Sequence, residues 1–254
     1  MNIKKRQKHI KTAFILSAGR GTRLRPLTDF CPKPLLPIGG RPIITCVMDH
    51  LIQTGIKRFI VNTHHLHHVY ETVFPDHQWQ SAPVQFQYEP VLLDSAGGLK
   101  NIEDLLDNDD HAIMVYNADI MTNMPLSPLM DSHFQGGGEV TLALRSSGYL
   151  TNVNINEKNE ICDIRYILGN RGIKSCQFAS IYIVERRFFE RLAPGRIESI
   201  VDVFIRMIRQ NPGSLKGVVI DDGLWEAVND LETYERIKIM GGLYDGSDER
   251  RRKY

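Results

Sequence analysis

A short apolar run near the start of the sequence leads directly into a turn that is rich in glycine. The run covers residues 13–16, and Gly19 and Gly21 follow it closely. Four apolar residues that end in glycines predict a buried strand followed by a tight turn. Glycine also lets backbone N–H groups approach an anion, because no Cβ stands in the way. The segment therefore predicts a strand that ends in an anion-binding loop.

Basic side chains follow in and after this turn. Lys33 stands between Pro32 and Pro34, whose rings restrict the backbone and reduce the entropy lost when the ammonium group is held in place. For the glycines alone, an ordinary strand-to-helix connection is an equally good interpretation, but the Pro-Lys-Pro segment favours a site for polyphosphate. Three further side chains supply planar donors that suit phosphate oxygens: Arg20, Arg23 and Arg25.

Residues 16–28 and 32–37 closely resemble the two-part signature of the sugar-1-phosphate nucleotidyltransferases, also called nucleotide-sugar pyrophosphorylases. The signature reads L-x-A-G-x-G-T-R-L-x-P-L-T and then P-K-P-L-L-P. No Gly-Lys-Ser or Gly-Lys-Thr follows the glycines, so the turn differs from a Walker-type phosphate loop. The sequence resembles in particular the short, single-domain members that use N-acetylmuramate, mannose or heptose 1-phosphate.

The resemblance implies a Rossmann-like, three-layer α/β/α fold with a mixed, mostly parallel central sheet. It also implies Mg²⁺ as cofactor and a role in nucleotide-sugar synthesis for cell envelope polysaccharide. Arg23 and Lys33 would stabilise the leaving pyrophosphate, and Lys33, Asn117 and Ser180 would bind the sugar phosphate. The nucleotide-binding residues that it implies are Leu16, Ala18, Gly19, Gly21, Thr22, Arg23, Glu89, Ser95, Ala96 and Gly97.

Composition indicates a single folded domain. The chain has 254 residues, 42% of them hydrophobic and 24% charged, so it can bury a large core. The net charge is +1, which argues against a nucleic-acid or membrane partner. The four cysteines show no C-x-x-C pair, and no signal peptide or membrane span is apparent, so we expect a cytoplasmic protein. A monomer and a homodimer are both compatible with the sequence.

Strands and helices alternate along the first half of the chain, whereas the second half is richer in strands. The alternation predicts a largely parallel sheet with ligands at the carboxyl ends of its strands. The predicted strands cover residues 13–16, 59–62, 84–88, 112–116, 139–145, 152–156 and 178–184, and the predicted helices cover 43–54, 97–106 and 197–209.

We divide the chain into one domain and two tails. Residues 1–11 form a basic N-terminal tail and residues 242–254 a C-terminal tail, with the nucleotidyltransferase domain at 12–241. Within the domain, we expect a nucleotide-binding half at 12–125 and a sugar-binding half at 126–241. The sequence shows no hexapeptide repeats, so we expect no left-handed β-helix domain.

A carboxylate, Asp119, follows the strand predicted at 112–116. At the end of a buried strand, such a group can hold Mg²⁺ through one oxygen while the metal keeps waters and gathers phosphates. Taken alone, an aspartate here would be a turn or cap residue. Asn117-Ala118-Asp119 resembles the N-x-D segment of the family, whose aspartate is a magnesium ligand. The resemblance therefore implies that Asp119 is a catalytic and metal-binding residue.

Residues 89–99 resemble the E-x-x-x-L-G-T-A-G-G-L turn that contacts base and sugar in the family. Small residues let the backbone lie against a flat ring, and a helix that begins near Gly98 offers free N–H groups. Asp94 and Ser95 stand where Gly and Thr are usual, which keeps a hydroxyl and adds a charge near the nucleotide. A glycine-rich helix start without a ligand is the alternative.

The resemblance weakens towards the C-terminus. Residues 225–232 correspond to the W-x-D-V-G-T-P-E segment of the family, but Ala227 stands where the second magnesium ligand belongs. Either Asp119 holds the metal with waters and substrate phosphates, or a neighbouring carboxylate substitutes, or activity is weak or absent. Ser180 replaces a usual glycine in a sugar-facing strand, which would change the sugar pocket. The possible substitute ligands are Asp222, Glu226 and Asp230.

Four histidines, His64, His65, His67 and His68, follow the strand predicted at 59–62. Two histidines three or four positions apart on a helix can chelate zinc, but no acidic or cysteine partner stands nearby at a ligand spacing. The family has a similar turn here. We therefore predict a polar strand-to-helix connection instead of a metal site.

The sequence thus predicts an enzyme that joins an NTP and a sugar 1-phosphate. The attacking phosphate oxygen is already anionic, so no general base is needed, and the site must mainly position anions and neutralise charge. One alternative is a non-catalytic nucleotide-sugar-binding protein on the same fold, motivated by Ala227. Another is an enzyme similar to phosphocholine cytidylyltransferases, in which Trp225, Tyr182 and Tyr166 would converge into a cage. The base and the sugar are not specified by these motifs.

Overall fold

The computed structural model describes residues 9–136 and 138–239. The strands are β1 Thr12–Leu16, β2 Pro37–Ile38, β3 Arg41–Pro42, β4 Arg58–Thr63, β5 Gln78–Trp79, β6 Ala82–Tyr88, β7 Ala112–Asn117, β8 Ile120–Thr122, β9 Val140–Arg145, β10 Thr151–Ile155, β11 Ile161–Ile164, β12 Lys174–Glu185, β13 Leu215–Val219 and β14 Trp225–Ala227. The helices are α1 Ile43–Gln53, α2 His67–Val73, α3 Asp94–Lys100, α4 Ser127–Gly136, α5 Ile200–Gln210 and α6 Leu231–Ile239.

A mixed sheet forms the centre of the fold. Strands β7, β1, β4 and β6 lie side by side in this order and run parallel. Strand β12 pairs antiparallel with β7 and carries the sheet into the second half of the chain. There β12 also pairs with β10 and β9. Strand β11 pairs with β10, and β13 pairs with β9. The two halves predicted from the sequence therefore share one sheet.

Helices cover both faces of this sheet, because each strand points successive side chains to opposite faces. In β1, Ala13 and Ile15 pack in one apolar cluster with α1 and α4. Phe14, between them, packs in another cluster with α3 and α5. All three side chains are fully buried. The three-layer α/β/α arrangement expected from the sequence is confirmed.

A third apolar cluster fixes the segment that follows the glycine turn. Leu24 and Ile38 pack there against Tyr234 and Ile237 of α6. The Tyr234 hydroxyl donates a hydrogen bond of 2.8 Å to the carbonyl oxygen of Pro37. Helix α6 thus supports the segment that carries the basic side chains, although about 200 positions separate the two in the chain.

The predicted elements are present. The strand predicted at 178–184 is part of β12, which begins four residues earlier, at Lys174, and two helices also differ from their predicted bounds. The helix predicted at 97–106 is α3, which begins at Asp94 and ends at Lys100. The helix predicted at 197–209 is α5. The side chain of Ser199 accepts a hydrogen bond from an N–H of its first turn and caps the helix. The residues before this cap consequently stay outside the helix.

Most of the two predicted tails lies outside the described residues. Of the residues assigned to the N-terminal tail, Ile10 is buried and Lys11 forms an ion pair of 2.7 Å with Asp109. These two residues contact the domain. The four cysteines are free thiols. In the part of the chain that the structure describes, no helix is long and apolar enough to cross a membrane.

Candidate active site

A cavity of about 560 Å³, called the central cavity here, opens beyond the carboxyl ends of the parallel strands. Ligands of open sheets with parallel strands bind at this edge. Its walls come from the glycine turn, the Pro-Lys-Pro segment, the strand ends, the start of α3 and two distant segments. The lining residues are Leu16, Ser17, Ala18, Gly19, Gly21, Thr22, Arg23, Leu24, Lys33, Pro34, Asn62, Leu92, Asp94, Ser95, Asn117, Ala118, Asp119, Ile197 and Asn229.

The two glycines of the turn have different roles. Gly21 has a φ of +62°, and a Cβ at this position would lie 2.9 Å from Thr28 Cγ2 and 3.0 Å from Lys33 Cβ. Gly21 is therefore required both by its left-handed backbone and by the close approach of Lys33. Gly19 has no positive φ, and a Cβ there would meet no atom within 4 Å. Its missing side chain leaves open space in the cavity, which agrees with the expectation that glycine permits a close approach.

On its buried side, the glycine turn is held by hydrogen bonds. The Ser17 N–H donates to Asn62 Oδ1 over 2.7 Å, and the Asn62 amide donates to Glu89 Oε1 over 2.7 Å. The hydroxyl of Tyr70 lies 2.7 Å from the Ser17 hydroxyl. On the outer side, Thr28 Oγ1 donates to the carbonyl oxygen of Gly21 over 2.9 Å. These contacts fix the turn before any ligand binds.

Lys33 and Asp119 meet in the central cavity. Lys33 Nζ lies 2.5 Å from Asp119 Oδ2, and their side chains are 13% and 24% exposed. The two reach this point from different elements, Lys33 from a short 3₁₀ turn and Asp119 from the connection between β7 and β8. The sequence prediction placed both residues at the reaction centre. The structure brings their charged groups into direct contact in the central cavity.

Of the three arginines that the sequence analysis assigned to phosphate, Arg23 lines the central cavity. Arg23 Nη2 donates a hydrogen bond of 3.2 Å to Asn229 Oδ1. Arg25 instead forms an ion pair of 3.1 Å with Asp29, and Arg20 is exposed outside the lining. Of the three, only Arg23 is among the residues that line the central cavity.

The region around Ala227 offers no second carboxylate at the cavity. Strand β14 pairs with β8 so that Ala227 lies opposite Ile120, and the Val228 N–H donates to the carbonyl oxygen of Asp119. The three proposed substitutes are not among the lining residues. Glu226 pairs with Arg236, Asp230 accepts a hydrogen bond from the Thr233 N–H, and the Asp222 carbonyl oxygen accepts one from Arg145.

Asp119 alone does not complete a site for a magnesium ion, so further ligands such as water and phosphate oxygens would be needed. Asp119 supplies a hard carboxylate oxygen, and Mg²⁺ is commonly held by one or two carboxylates plus waters and substrate phosphates. Among the described residues there is no group of three or more His, Cys, Asp or Glu that could hold a metal ion. The residues present therefore suit a metal that arrives with phosphates.

Glu89 lies beneath the central cavity, not on its wall. Its side chain is fully buried, and its two carboxylate oxygens accept hydrogen bonds from Asn62 and from the Leu93 N–H. Burial raises the pKa of this carboxyl above its ordinary value. Glu89 thus ties β4 to the loop before α3. The predicted direct contact with the nucleotide is not supported by this position.

Two adjacent residues at the start of α3 line the central cavity. Asp94 and Ser95 line the central cavity, and Asp94 has a φ of +60°, which explains why a glycine suits this position. Ala96 and Gly97 do not line it. Ala96 donates its N–H to the Glu198 carbonyl oxygen over 2.9 Å, and Gly97 packs against the backbone of Arg196.

The expected sugar-phosphate residues are divided between the cavity and the sheet. Asn117, the last residue of β7, lines the central cavity, whereas Ser180 does not. Ser180 has a φ of +59° where β12 shifts its register against β9. The pair Ile181 and Tyr116 ends the ladder between β12 and β7, so Ser180 lies just beyond it, beside Asn117. A backbone of this kind accounts for the glycine that is usual there.

The histidine segment forms structural contacts. His64 Nδ1 lies 2.8 Å from the carbonyl oxygen of Glu89, and His65 Nε2 lies 2.7 Å from that of Thr28. The ring of His67 packs against that of Tyr88 at 4.3 Å. These contacts agree with the prediction of a polar connection between a strand and a helix.

Several lining residues of the central cavity were not among the predicted site residues, and two of these come from distant segments of the chain. Asn229 comes from the C-terminal segment, and Ile197 comes from the three residues before α5; Ile197 is 63% exposed. Both approach the cavity from positions more than 70 residues beyond Asp119 in the chain. Asn229 lies within residues 225–232, where the sequence resembles the family motif only in part, and Ile197 is an exposed apolar residue that belongs to no motif.

Comparison with known sequences identifies the family. The sequence profile of the family described as nucleotidyl transferase matches residues 12–148, more than half of the chain. The chain belongs to the nucleotidyl transferase family. Over 233 residues it is 29% identical to a mannose-1-phosphate guanylyltransferase of Mycobacterium tuberculosis, covering 90% of this chain and 64% of that relative.

Other relatives and solved structures agree with this family assignment. A UTP–glucose-1-phosphate uridylyltransferase of Synechocystis is 31% identical over 143 residues, which are 53% of this chain and 37% of that protein. The chain thus spans less than two thirds of the length of these curated relatives. A putative glucose-1-phosphate thymidylyltransferase of Bacillus anthracis superposes with a TM-score of 0.76 at 20% identity, covering 91% and 94% of the two chains. This last likeness supports the fold.

Proposed function

We propose that this nucleotidyl transferase family member is an enzyme that joins an NTP to a sugar 1-phosphate, with release of pyrophosphate. An oxygen of the sugar phosphate attacks the α-phosphorus, and the bond from that phosphorus to the oxygen of the β-phosphate breaks. The nucleotide sugar and pyrophosphate are the products. The observation that carries this proposal is the contact of Lys33 with Asp119 beside a preformed glycine turn in the central cavity.

The cations of the cavity suit the two anions of this reaction. Both substrates carry negative charge, so their approach requires positive groups that are already in position. Arg23 and Lys33 supply such groups, and the backbone of residues 19–22 supplies N–H donors next to them. The leaving pyrophosphate gains charge as the bond breaks. Arg23 and Lys33 would stabilise that charge, and Asn117 would contact the sugar phosphate.

Magnesium remains part of the proposal. Asp119 would hold the ion together with substrate phosphates and water, and the ion would neutralise phosphate charge when bound. Asp119 also holds the ammonium group of Lys33 in the cavity. A cytoplasmic location and a supply of nucleotide sugar for envelope polysaccharide are further predictions that rest on this function.

The choline alternative finds no support in the aromatic side chains. Tyr182 is fully buried and packs edge-on against Phe204 at 5.6 Å in the core. Trp225 instead lies near Tyr149, at 6.3 Å between ring centroids, and its indole N–H donates to a backbone oxygen. A cage for a quaternary ammonium group needs several open aromatic faces. Tyr182, Trp225 and Tyr166 do not provide them together.

The proposed reaction is tested by measuring pyrophosphate release. The protein is incubated with Mg²⁺ and a panel of sugar 1-phosphates, together with each of the four NTPs or dTTP. Turnover of at least one pair supports the proposal. If no pair reacts while a nucleotide sugar still raises the melting temperature, the protein binds nucleotide sugars without catalysis, as Ala227 suggested.

A further inference from the structure

Two carboxylates, Asp94 and Asp119, are among the residues that line the central cavity. Asp119 follows β7 and Asp94 follows β6, with β1 and β4 between these two strands. Asp119 is paired with Lys33, whereas Asp94 is bound to its neighbour Ser95. The two acidic groups therefore serve different sides of the cavity. Asp119 belongs to the side with the cations, and the role of Asp94 is unassigned.

The carboxylate of Asp94 is held in a defined position. Asp94 Oδ1 accepts hydrogen bonds from the Ser95 N–H over 2.6 Å and from the Ser95 hydroxyl over 3.2 Å. The Ser95 hydroxyl oxygen in turn accepts a hydrogen bond of 2.9 Å from the Ile200 N–H, which links Ser95 to the start of α5. Aspartate also tolerates the left-handed backbone found here better than most residues do. The cavity thus contains an anionic acceptor that is oriented before a ligand binds.

Apolar surface lies beside this acceptor. Leu92 and Ile197 line the central cavity together with Asp94, and Ile197 is largely exposed to solvent. Ligand sites commonly combine apolar walls with a few fixed polar groups that set orientation. Leu92, Ile197 and Asp94 therefore suit a flat ring with hydrogen-bond donors on its edge. The cations Arg23 and Lys33 would take the phosphates of the same nucleotide.

The chemistry of the bases decides which ring fits a carboxylate. Guanine presents two adjacent donors, N1–H and the N2 amino group, which one carboxylate can accept together. Uracil and thymine present a single N–H between two carbonyl oxygens, which a carboxylate repels. Adenine and cytosine place their amino group next to a ring nitrogen that is itself an acceptor. Guanine is the base whose edge complements Asp94.

We infer that Asp94 binds the N1–H and N2 amino edge of guanine and makes GTP the preferred nucleotide of this site. The inference rests on the proposed nucleotidyl transfer, because it takes the nucleotide from that reaction. It concerns a position at which this chain departs from the glycine of the family signature. The preference would come from the side chain of Asp94 and would be lost with its charge.

The experiment measures equilibrium binding by titration calorimetry with Mg²⁺ present. The ligands are GTP, ITP, UTP and dGTP; ITP keeps N1–H but lacks the amino group, and dGTP lacks the ribose 2′-hydroxyl. The variants are Asp94→Asn and, as a matched control, Asp104→Asn, an exposed carboxylate outside the cavity. Asparagine tolerates the same backbone conformation, so Asp94→Asn retains the fold, which its melting temperature verifies.

The expected result is that GTP binds at least about tenfold more tightly than ITP and UTP, as the loss of one hydrogen bond to a charged group implies. Asp94→Asn reduces the ratio of GTP to ITP affinity to about twofold, and Asp104→Asn leaves it unchanged. Equal affinity for GTP, ITP and UTP overturns the inference. Equal affinity for GTP and ITP together with weak binding of dGTP also overturns the inference, because this result would assign Asp94 to the ribose.

The two proposals fail in distinguishable ways. If no sugar 1-phosphate reacts with any NTP but GTP binding depends on Asp94, the nucleotidyl transfer is wrong and the base assignment stands. If another NTP reacts and GTP shows no preference in binding, the base assignment is wrong and the transfer stands.

Discussion

Arg23 and Asn229 are joined at the central cavity, although 206 positions separate them in the chain. Arg23 Nη2 donates to Asn229 Oδ1 over 3.2 Å, and the Asn229 amide lies 3.4 Å from the hydroxyl of Tyr149. Arg23 belongs to the glycine turn, whereas Asn229 follows β14. The contact therefore links the phosphate side of the cavity to the half that was expected to bind sugar.

We expect Asn229→Ala to weaken nucleotide binding without unfolding the protein. The bond is exposed, so its loss costs less than about 1 kcal/mol, which corresponds to a rise in KM for the NTP of no more than about fivefold. Steady-state kinetics and a melting curve measure the two effects. A large loss of kcat with an unchanged KM contradicts this positioning role.

The two glycines of the turn provide a matched pair of substitutions. Gly21→Ala forces a side chain into a left-handed backbone and against Thr28 and Lys33, which we expect to destabilise the fold by about 2 kcal/mol. For a chain of this size, the melting temperature then falls by about 6 °C. Gly19→Ala meets no atom, so it should leave the melting temperature unchanged and weaken NTP binding. An equal loss of stability in both variants argues against these roles.

The buried carboxyl of Glu89 should make the free energy of unfolding depend on pH. Burial raises the pKa of this carboxyl in the folded protein, so the folded state binds the proton more readily than the unfolded chain does. Its contribution to stability is fully present below the unfolded pKa, about 4.3, and is lost as the pH rises through the folded pKa. The wild type should therefore lose stability relative to Glu89→Gln as the pH rises above about 4.3 and through the raised pKa of the folded protein.

Urea denaturation at several pH values measures this difference in the free energy of unfolding. Glu157→Gln, at an exposed position, serves as the control and should show a constant difference. A difference for Glu89→Gln that stays constant, or that grows in favour of the wild type as the pH rises, contradicts the assignment.

Ala227 offers a gain-of-function test of the metal site. It lies beside Asp119, because the next residue, Val228, donates its N–H to the Asp119 carbonyl oxygen over 2.9 Å. In Ala227→Asp, a second carboxylate should lower the Mg²⁺ concentration for half-maximal activity about tenfold. Its burial should also cost about 1–3 kcal/mol of stability. Ala227→Asn has a similar shape without the charge, and an equal effect of both variants refutes the metal interpretation.

Much of the fold could be predicted from the sequence, because its signals are local. The continuous apolar run of β1, in which Phe14 faces away from Ala13 and Ile15, indicates a strand covered on both faces. The glycine turn and the Pro-Lys-Pro segment owe their form to backbone properties of single residues. The bounds of α3 could not be predicted as well, because its start depends on the left-handed conformation of Asp94.

The candidate site was predictable where strand ends and short motifs supply its residues. Lys33 and Asp119 fall in this class. Glu89 shows the limit of the approach, since a motif gives the residue type but not whether the side chain faces a ligand or the core. Ile197 and Asn229 reach the cavity through packing between distant segments. Such contacts depend on the complete fold and leave no periodic pattern in the sequence.

The central claim is that Lys33 and Asp119 form the reaction centre of a nucleotidyl transfer, and pyrophosphate release by Asp119→Ala tests it most directly. Asp119 is partly exposed at the cavity wall, so the variant should keep the melting temperature of the wild type within a few degrees. With the NTP and sugar 1-phosphate pair that the wild type turns over, the variant should release pyrophosphate at least about a thousandfold more slowly. Release by folded Asp119→Ala at the wild-type rate would contradict the account.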